Sequence, residues 1–184
     1  MSLDVPPPEF DVPDGWRLVA EDFQTPFDVR VASVETATRI YEDVDLRDRL
    51  ADATGVETTW RFAFASRLRI RPRTPPSRAL TRLVTDRAER KFEDVLRERG
   101  FSAIERADDH RLDVGDEQIK ATRYRARVGV GGLDLPVEAF FAVWPADRDY
   151  LLGGGAYPLS LPDPETFDAE RGREELFSVI RSIR

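Results

Sequence analysis

The sequence predicts an α+β domain, in which an antiparallel β-sheet is covered by a long central helix over about residues 77–99 and a C-terminal helix over about 173–183. Three observations carry this. Thr58 to Arg71 reads T-T-W-R-F-A-F-A-S-R-L-R-I-R, the longest clean alternation in the chain. Strand side chains alternate faces, so Trp60, Phe62, Phe64, Ser66, Leu68 and Ile70 share one face. Arg61, Ala63, Ala65, Arg67, Arg69 and Arg71 share the other. Directly afterwards Leu80, Leu83, Val84, Ala88, Phe92, Val95 and Leu96 recur at spacings of three and four, an apolar helical stripe. Residues 102–157 then read as alternating segments parted by glycine, proline and aspartate turns, as in a meander. A one-residue slip of the first strand would bury its arginines and expose its rings, so its register is strongly specified. It is expected to have one apolar face, under the helix, and one wetter face.

Taken in order, residues 1–15 form a proline-rich lead, with Pro6-Pro7-Pro8 and Pro13 favouring polyproline II, expected as a tail on the surface. The folded domain is read as 16–184. Trp16 to Phe23 alternates as a short strand. Phe27 to Glu42 is a second, with a bulge where the pattern loosens near Ser33. Asp45 is read as the cap of a short helix carrying Leu46, Leu50 and Ala53, with Gly55 as its stop. Pro75-Pro76-Ser77 opens the long helix, since proline is tolerated in a first turn. Asp86 with Arg90 and Glu93 with Arg97 support it at i, i+4, and Gly100 ends it.

The meander starts with strand segments Ser102–Ala107 and Arg111–Val114 about a turn at Asp108-Asp109-His110. Gly115-Asp116 is a hairpin signal. Ile119–Val130, Leu133–Trp144 and Tyr150–Tyr157 follow, parted by Gly131-Gly132 and Pro145-Ala146-Asp147. The last is weakened by Gly153-Gly154-Gly155. Asp163-Pro164 reads as the start of the terminal helix, which falters at Gly172. Its best part places Leu176, Phe177, Ile180 and Ile183 on one face.

A chain of 184 residues is long enough to bury one sizeable core. Without cysteine it has no disulfide, thiol nucleophile or zinc-thiolate site, which fits an intracellular protein. No run of about 18 apolar residues occurs, and the N-terminus lacks the basic start and apolar core of a signal peptide. A cytoplasmic protein without membrane association is expected. The net charge of −7 combines 20 aspartates with 26 arginines and only two lysines. That balance disfavours sequence-independent nucleic-acid binding, which needs clustered positive charge. It is similar to the composition of cytoplasmic proteins from extreme halophiles, whose acidic surfaces stay hydrated in salt.

The order of elements from Trp60 to Arg184, with the closing segment Glu174-Glu175-Leu176-Phe177-Ser178-Val179-Ile180-Arg181-Ser182-Ile183-Arg184, resembles the Mog1/PsbP-like fold group. That resemblance implies a binding or assembly factor with no chemistry of its own and a protein partner. The alternative architecture is a helix-grip ligand-binding fold, against which stands the interruption at Gly172.

Candidate sites are few. His110 is the only histidine and has no spaced partner for a metal or a triad; among acids it reads as a solvated turn residue. The acidic run Glu42–Asp48 fails the EF-hand pattern, since Arg47 falls at the fifth position, no glycine sits at the sixth and Thr54 falls at the twelfth. The glycine loops match neither the Walker nor the dinucleotide fingerprint. No cofactor is expected. Two arginine rows remain: Arg67, Arg69 and Arg71 on one strand, and Arg123, Arg125 and Arg127 on another. Were the strands adjacent, the rows would form a guanidinium patch for carboxylate or phosphate. Otherwise they pair with acids such as Glu105, Asp113 and Glu138 across the sheet. Two functions are therefore carried forward. One is a non-catalytic interaction module. The other is an anion-binding protein or enzyme with a pocket between sheet and helix, lined by Trp60, Tyr124, Phe140 or Trp144.

Overall fold

The computed structural model describes residues 5–29 and 32–184, and side chains over 5–25 and 32–184. Seven strands and three helices follow one another as β1 (Trp16–Val29), β2 (Ala32–Asp43), α1 (Val44–Thr54), β3 (Phe62–Arg71), α2 (Arg78–Glu98), β4 (Phe101–Val114), β5 (Glu117–Val130), β6 (Leu133–Ala146), β7 (Asp149–Pro158) and α3 (Ala169–Ser182). The fold is α+β, with one sheet ordered β1-β2-β3-β7-β6-β5-β4 and antiparallel throughout. Two meanders meet in the middle. The first ends at β3; α2 then carries the chain to the far edge, and β4 to β7 return to pair with β3. Among the described residues no helix is long and apolar enough to cross a membrane.

The strand that organises the sequence reading lies inside the sheet, and its apolar face lies under α2. Phe62, Tyr124, Phe141, Leu152 and Ala156 pack there against Val84, Phe92 and Leu96. The Phe92 ring stacks on Phe141 at 4.8 Å and on Phe64 at 5.7 Å. Ser77 caps α2 by accepting a hydrogen bond from the Leu80 amide at 3.2 Å, and Gly100 follows in the left-handed region. Leu83 departs from the expected stripe: it is 55 % exposed, while the polar Glu89 is buried in its place. The buried arc is centred on Val84, Phe92 and Leu96, and Leu83 falls outside it on the helical wheel.

The expected wetter face is covered. Ala63, Ala65, Phe140 and Trp144 pack against Leu176, Phe177 and Ile180 of α3 and against Ile183 just after it. Arg61 is 4 % exposed beneath α3. Its guanidinium donates to Asp43 at 3.3 Å, to Glu175 at 2.8 Å and to the Gly172 carbonyl at 3.1 Å, and lies 4.8 Å from the Trp16 ring. A buried cation is tolerated only when paired in this way. Gly172 does not interrupt α3. It lies inside it because the Phe167 ring occupies the space a Cβ would need. The helix starts at Asp168, whose carboxylate accepts from the amides of Glu170 and Arg171, while Asp163 caps only a local turn at Glu165.

The proline-rich lead is not a loose tail. Val5, Pro8 and Phe10 are buried, Phe10 edge-on to Tyr41 at 4.9 Å. Glu9 and Arg184 exchange two backbone hydrogen bonds of 3.0 Å, so the two ends of the chain are clipped together. The lead thus completes the second face where α3 stops.

Other boundaries differ from the sequence reading. Phe27 belongs to β1 rather than to the second strand; the connection between them lies at 30–31, outside the described residues. The irregularity expected at Ser33 falls instead in β1, between Gln24 and Phe27. Asp43, not Asp45, caps α1, accepting from the Leu46 amide at 3.0 Å, with Gly55 as the left-handed stop. Asp108-Asp109-His110 is no turn, because β4 runs through it as one strand. Gly153-Gly154-Gly155 do not weaken β7, which is the middle strand of the sheet and buried along its whole length. A Cβ on Gly154 would collide with the Phe140 carbonyl, and one on Gly155 with the Phe62 carbonyl and, at 2.8 Å, with Leu176. These glycines allow close approach of neighbouring backbone and of α3.

Candidate functional site

A groove of about 760 Å³ lies between the N-terminal half of α2 and strands β4 to β6. Its floor is apolar, from Phe141, Val143 and Pro145 of β6. One wall is helical, with Arg78, Thr81, Arg82, Thr85, Asp86 and Glu89; Arg106 of β4 and Lys120 of β5 close the other side. Four cations thus face two carboxylates, on a chain whose net charge is −7.

A polar network sits under the groove. Glu89 accepts from the Thr122 hydroxyl at 2.9 Å and from Arg106 at 3.0 Å. Arg106 also donates to Asp109 at 3.2 Å, and Lys120 lies 3.5 Å from the same carboxylate. A β-bulge builds this cluster. Arg106 pairs with Tyr124 and Asp109 with Thr122, so Ala107 and Asp108 together oppose Arg123. In a regular strand, residues 106 and 109 would point to opposite faces; the extra residue brings both to the α2 face. It also sends Asp108 and His110 to the α3 face.

Burial pushes the Asp109 carboxyl up, but the hydrogen bond from Arg106 and the charge of Lys120 outweigh it and hold the carboxyl below its usual range. Arg106 is likewise held above its usual range despite burial, by Glu89 and Asp109. Tyr124 is fully buried, and its hydroxyl finds no partner. Burial, reinforced by Glu89 and Glu93, drives its pKa up, so it stays a neutral phenol. Thr81 and Tyr150 share a hydroxyl contact of 3.2 Å on the helical side.

Of the four pocket residues expected from sequence, only Tyr124 lies on this side of the sheet. Trp60 packs with α1 residues, and Phe140 and Trp144 face α3. The arginine rows do share a face, the α3 face, but β7 and β6 separate their strands. Three inter-strand steps of about 4.8 Å put them roughly 14 Å apart, so no joint patch forms. Arg67 donates to the Pro6 carbonyl at 3.2 Å. Arg69, buried, grips Asp149 with two bonds of 3.0 and 2.8 Å, and Arg71 reaches Glu35 at 3.1 Å. Arg123 bridges Asp108 at 2.9 Å and Glu138 at 3.2 Å; Arg127 reaches Asp134 at 2.6 Å. Arg125 is exposed, opposite Glu105 and Glu138 in register. His110 is no solvated turn residue: its ring packs 5.3 Å from Phe140 and 5.9 Å from Phe177. Among the described residues no three His, Asp or Glu side chains converge as a metal-ligand set.

Residues 3–184 match a family described as a domain of unknown function, DUF6517. The chain belongs to this family. No curated protein matches it. In this DUF6517 chain the groove residues were missed by sequence reasoning because their signal was split. Thr81, Thr85 and Glu89 recur at i+4 as a polar stripe beside the apolar one, and that stripe is the trace the groove leaves in the sequence.

Proposed function

We propose that this protein is a non-catalytic binding module whose α2 groove takes an organic anion, with the apolar body of the ligand on Phe141, Val143 and Pro145. The single observation that carries the reading is four cationic side chains ringing an apolar floor on an acidic protein. Ligand sites combine apolar walls with a few placed polar groups in this way. A pocket enzyme is the weaker reading. General acid–base work wants a group titrating near the working pH, whereas Asp109 is held below the usual carboxylate range and Arg106 above its own.

A thermal-shift series of octanoate against octanol tests the charge requirement on one apolar body. Octanoate at about a hundred times its dissociation constant should raise Tm by roughly 5–10 °C. Octanol should not, and Lys120→Glu with Arg82→Glu should abolish the shift. Equal shifts from both compounds, or a shift that survives both substitutions, would count against the groove.

A second reading, an interaction module with a protein partner, is supported by a cluster of exposed apolar side chains on β1. The Mog1/PsbP-like assignment belongs with this proposal. It is supported by a long helix preceding a four-strand meander that ends in a C-terminal helix. Gly172 no longer argues against the helix-grip alternative, but α2 and α3 lie on opposite faces of the sheet, which favours a helix–sheet–helix sandwich. The acidic, lysine-poor surface supports a cytoplasmic setting in concentrated salt.

A further inference from the structure

Leu18, Val19 and Phe23, three large apolar side chains on β1, stand open to water at 46, 44 and 43 % exposure. β1 is an edge strand of the sheet, at the opposite edge from the groove's β4 wall. An open edge presents unpaired backbone donors and acceptors, and natural proteins blunt such edges or use them. We propose that β1 pairs with β1 of a second copy of this chain, making one continuous sheet across a two-fold axis.

The register follows from the bulge. Arg17 pairs with Glu42 and Leu18 with Tyr41, then Ala20 with Ile40 and Glu21 with Arg39, so Val19 is the extra residue. Before it, Leu18 lies on the α3 face and Arg17 on the α2 face. After it, Ala20 and Asp22 lie on the α2 face and Glu21 and Phe23 on the α3 face. Two antiparallel copies related by a two-fold axis must oppose residues that share a face. In a regular strand that forbids pairing centred between two consecutive residues. The bulge permits it here, about the midpoint of Val19 and Ala20.

That register opposes Arg17 to Asp22 of the partner subunit, and by symmetry the reverse. Arg17 is exposed and makes no ion pair with another described residue, and Asp22 is also exposed. On the α3 face, Leu18 becomes a diagonal neighbour of Phe23 of the partner subunit, within reach of an aromatic side chain, so the exposed apolar pair is covered. One strand segment therefore carries opposite charges at mutually matching positions and apolar groups that meet on the diagonal. A self-complementary patch of this kind is what an isologous interface requires, and it selects a second copy over an unrelated strand.

Sedimentation of the full chain in concentrated potassium chloride, with circular dichroism to confirm folding, tests the pairing. The wild type should sediment at twice the 21.0 kDa chain mass. Arg17→Glu and Asp22→Arg, each alone, oppose like charges and should sediment as folded monomers. Mixed together, the two variants again set an acid against a base at both symmetry-related pairings, and the dimer should return. The double variant Arg17→Glu/Asp22→Arg should also dimerise alone. A wild type that stays monomeric at every concentration, a dimer indifferent to the single changes, or a mixture that fails to reassociate would overturn the proposal. None of these outcomes depends on the groove binding anything.

Discussion

Phe92→Ala is the sharpest perturbation of the contact between α2 and the sheet. The ring is buried and stacks 4.8 Å from Phe141, 5.7 Å from Phe64 and edge-on 5.6 Å from Tyr124. Truncating a buried phenylalanine costs about 3–5 kcal/mol through lost burial and the cavity left behind. The ring pairs put this site at the upper end, because each is worth about 0.5–1.5 kcal/mol beyond its area. For a chain of this size each kcal/mol lowers Tm by roughly 2–4 °C, so a fall on the order of 10 °C or more is expected in calorimetry or thermal circular dichroism. Leu83→Ala is the internal control. Leu83 belongs to the same apparent stripe but is exposed, so its truncation should stay within about 0.5 kcal/mol. A similar loss for both variants, or a Phe92→Ala protein melting within about two degrees of wild type, would refute the placement of α2.

Gly155→Ala should destabilise by about 1–3 kcal/mol, since its Cβ meets backbone and Leu176, whereas Gly129→Ala, with open space around it, should be near neutral; urea midpoints report both. Asp149→Leu should cost about 3–5 kcal/mol by removing the carboxylate that takes two hydrogen bonds from the buried Arg69 guanidinium, as read in the same denaturation series. Asp109 and Glu175 are both held below the usual carboxylate range: burial raises each, and Arg106 with Lys120, or Arg61 with Arg171, outweighs it. The unfolded chain then binds more protons, so this share of stability is complete above about pH 5 and is lost as pH falls through about 4 and below. A urea midpoint independent of pH from about 6 down to about 3 would contradict that.

Much of the fold was legible because it rests on local periodicity. The alternation from Trp60 to Ile70 and the α2 stripe name their own apolar faces, and Ser77, Gly55, Gly100 and Gly115 mark element ends through backbone chemistry that needs no tertiary context. What failed depended on long-range partners. Arg61 and Arg69 look solvated on a ladder, and partners far away in sequence, such as Gly172 and Glu175 for Arg61 and Asp149 for Arg69, make their burial tolerable. Gly172 and the β7 glycines look like breaks until Phe167, Phe140 and Phe62 are placed beside them. The groove was hidden for a related reason. The bulge that brings Arg106 and Asp109 onto one face has no marker residue, and alternation counted through Ala107 and Asp108 assigns the two to opposite faces.

The groove is tested most directly by two-dimensional amide and methyl NMR of the full chain titrated with octanoate, with octanol as the neutral counterpart. Saturable octanoate-specific shifts are predicted at Thr85, Arg106, Lys120, Phe141 and Val143, with β1 and β2 unmoved. Shifts confined to other surfaces, or identical titrations with octanol, would contradict an anion site under α2.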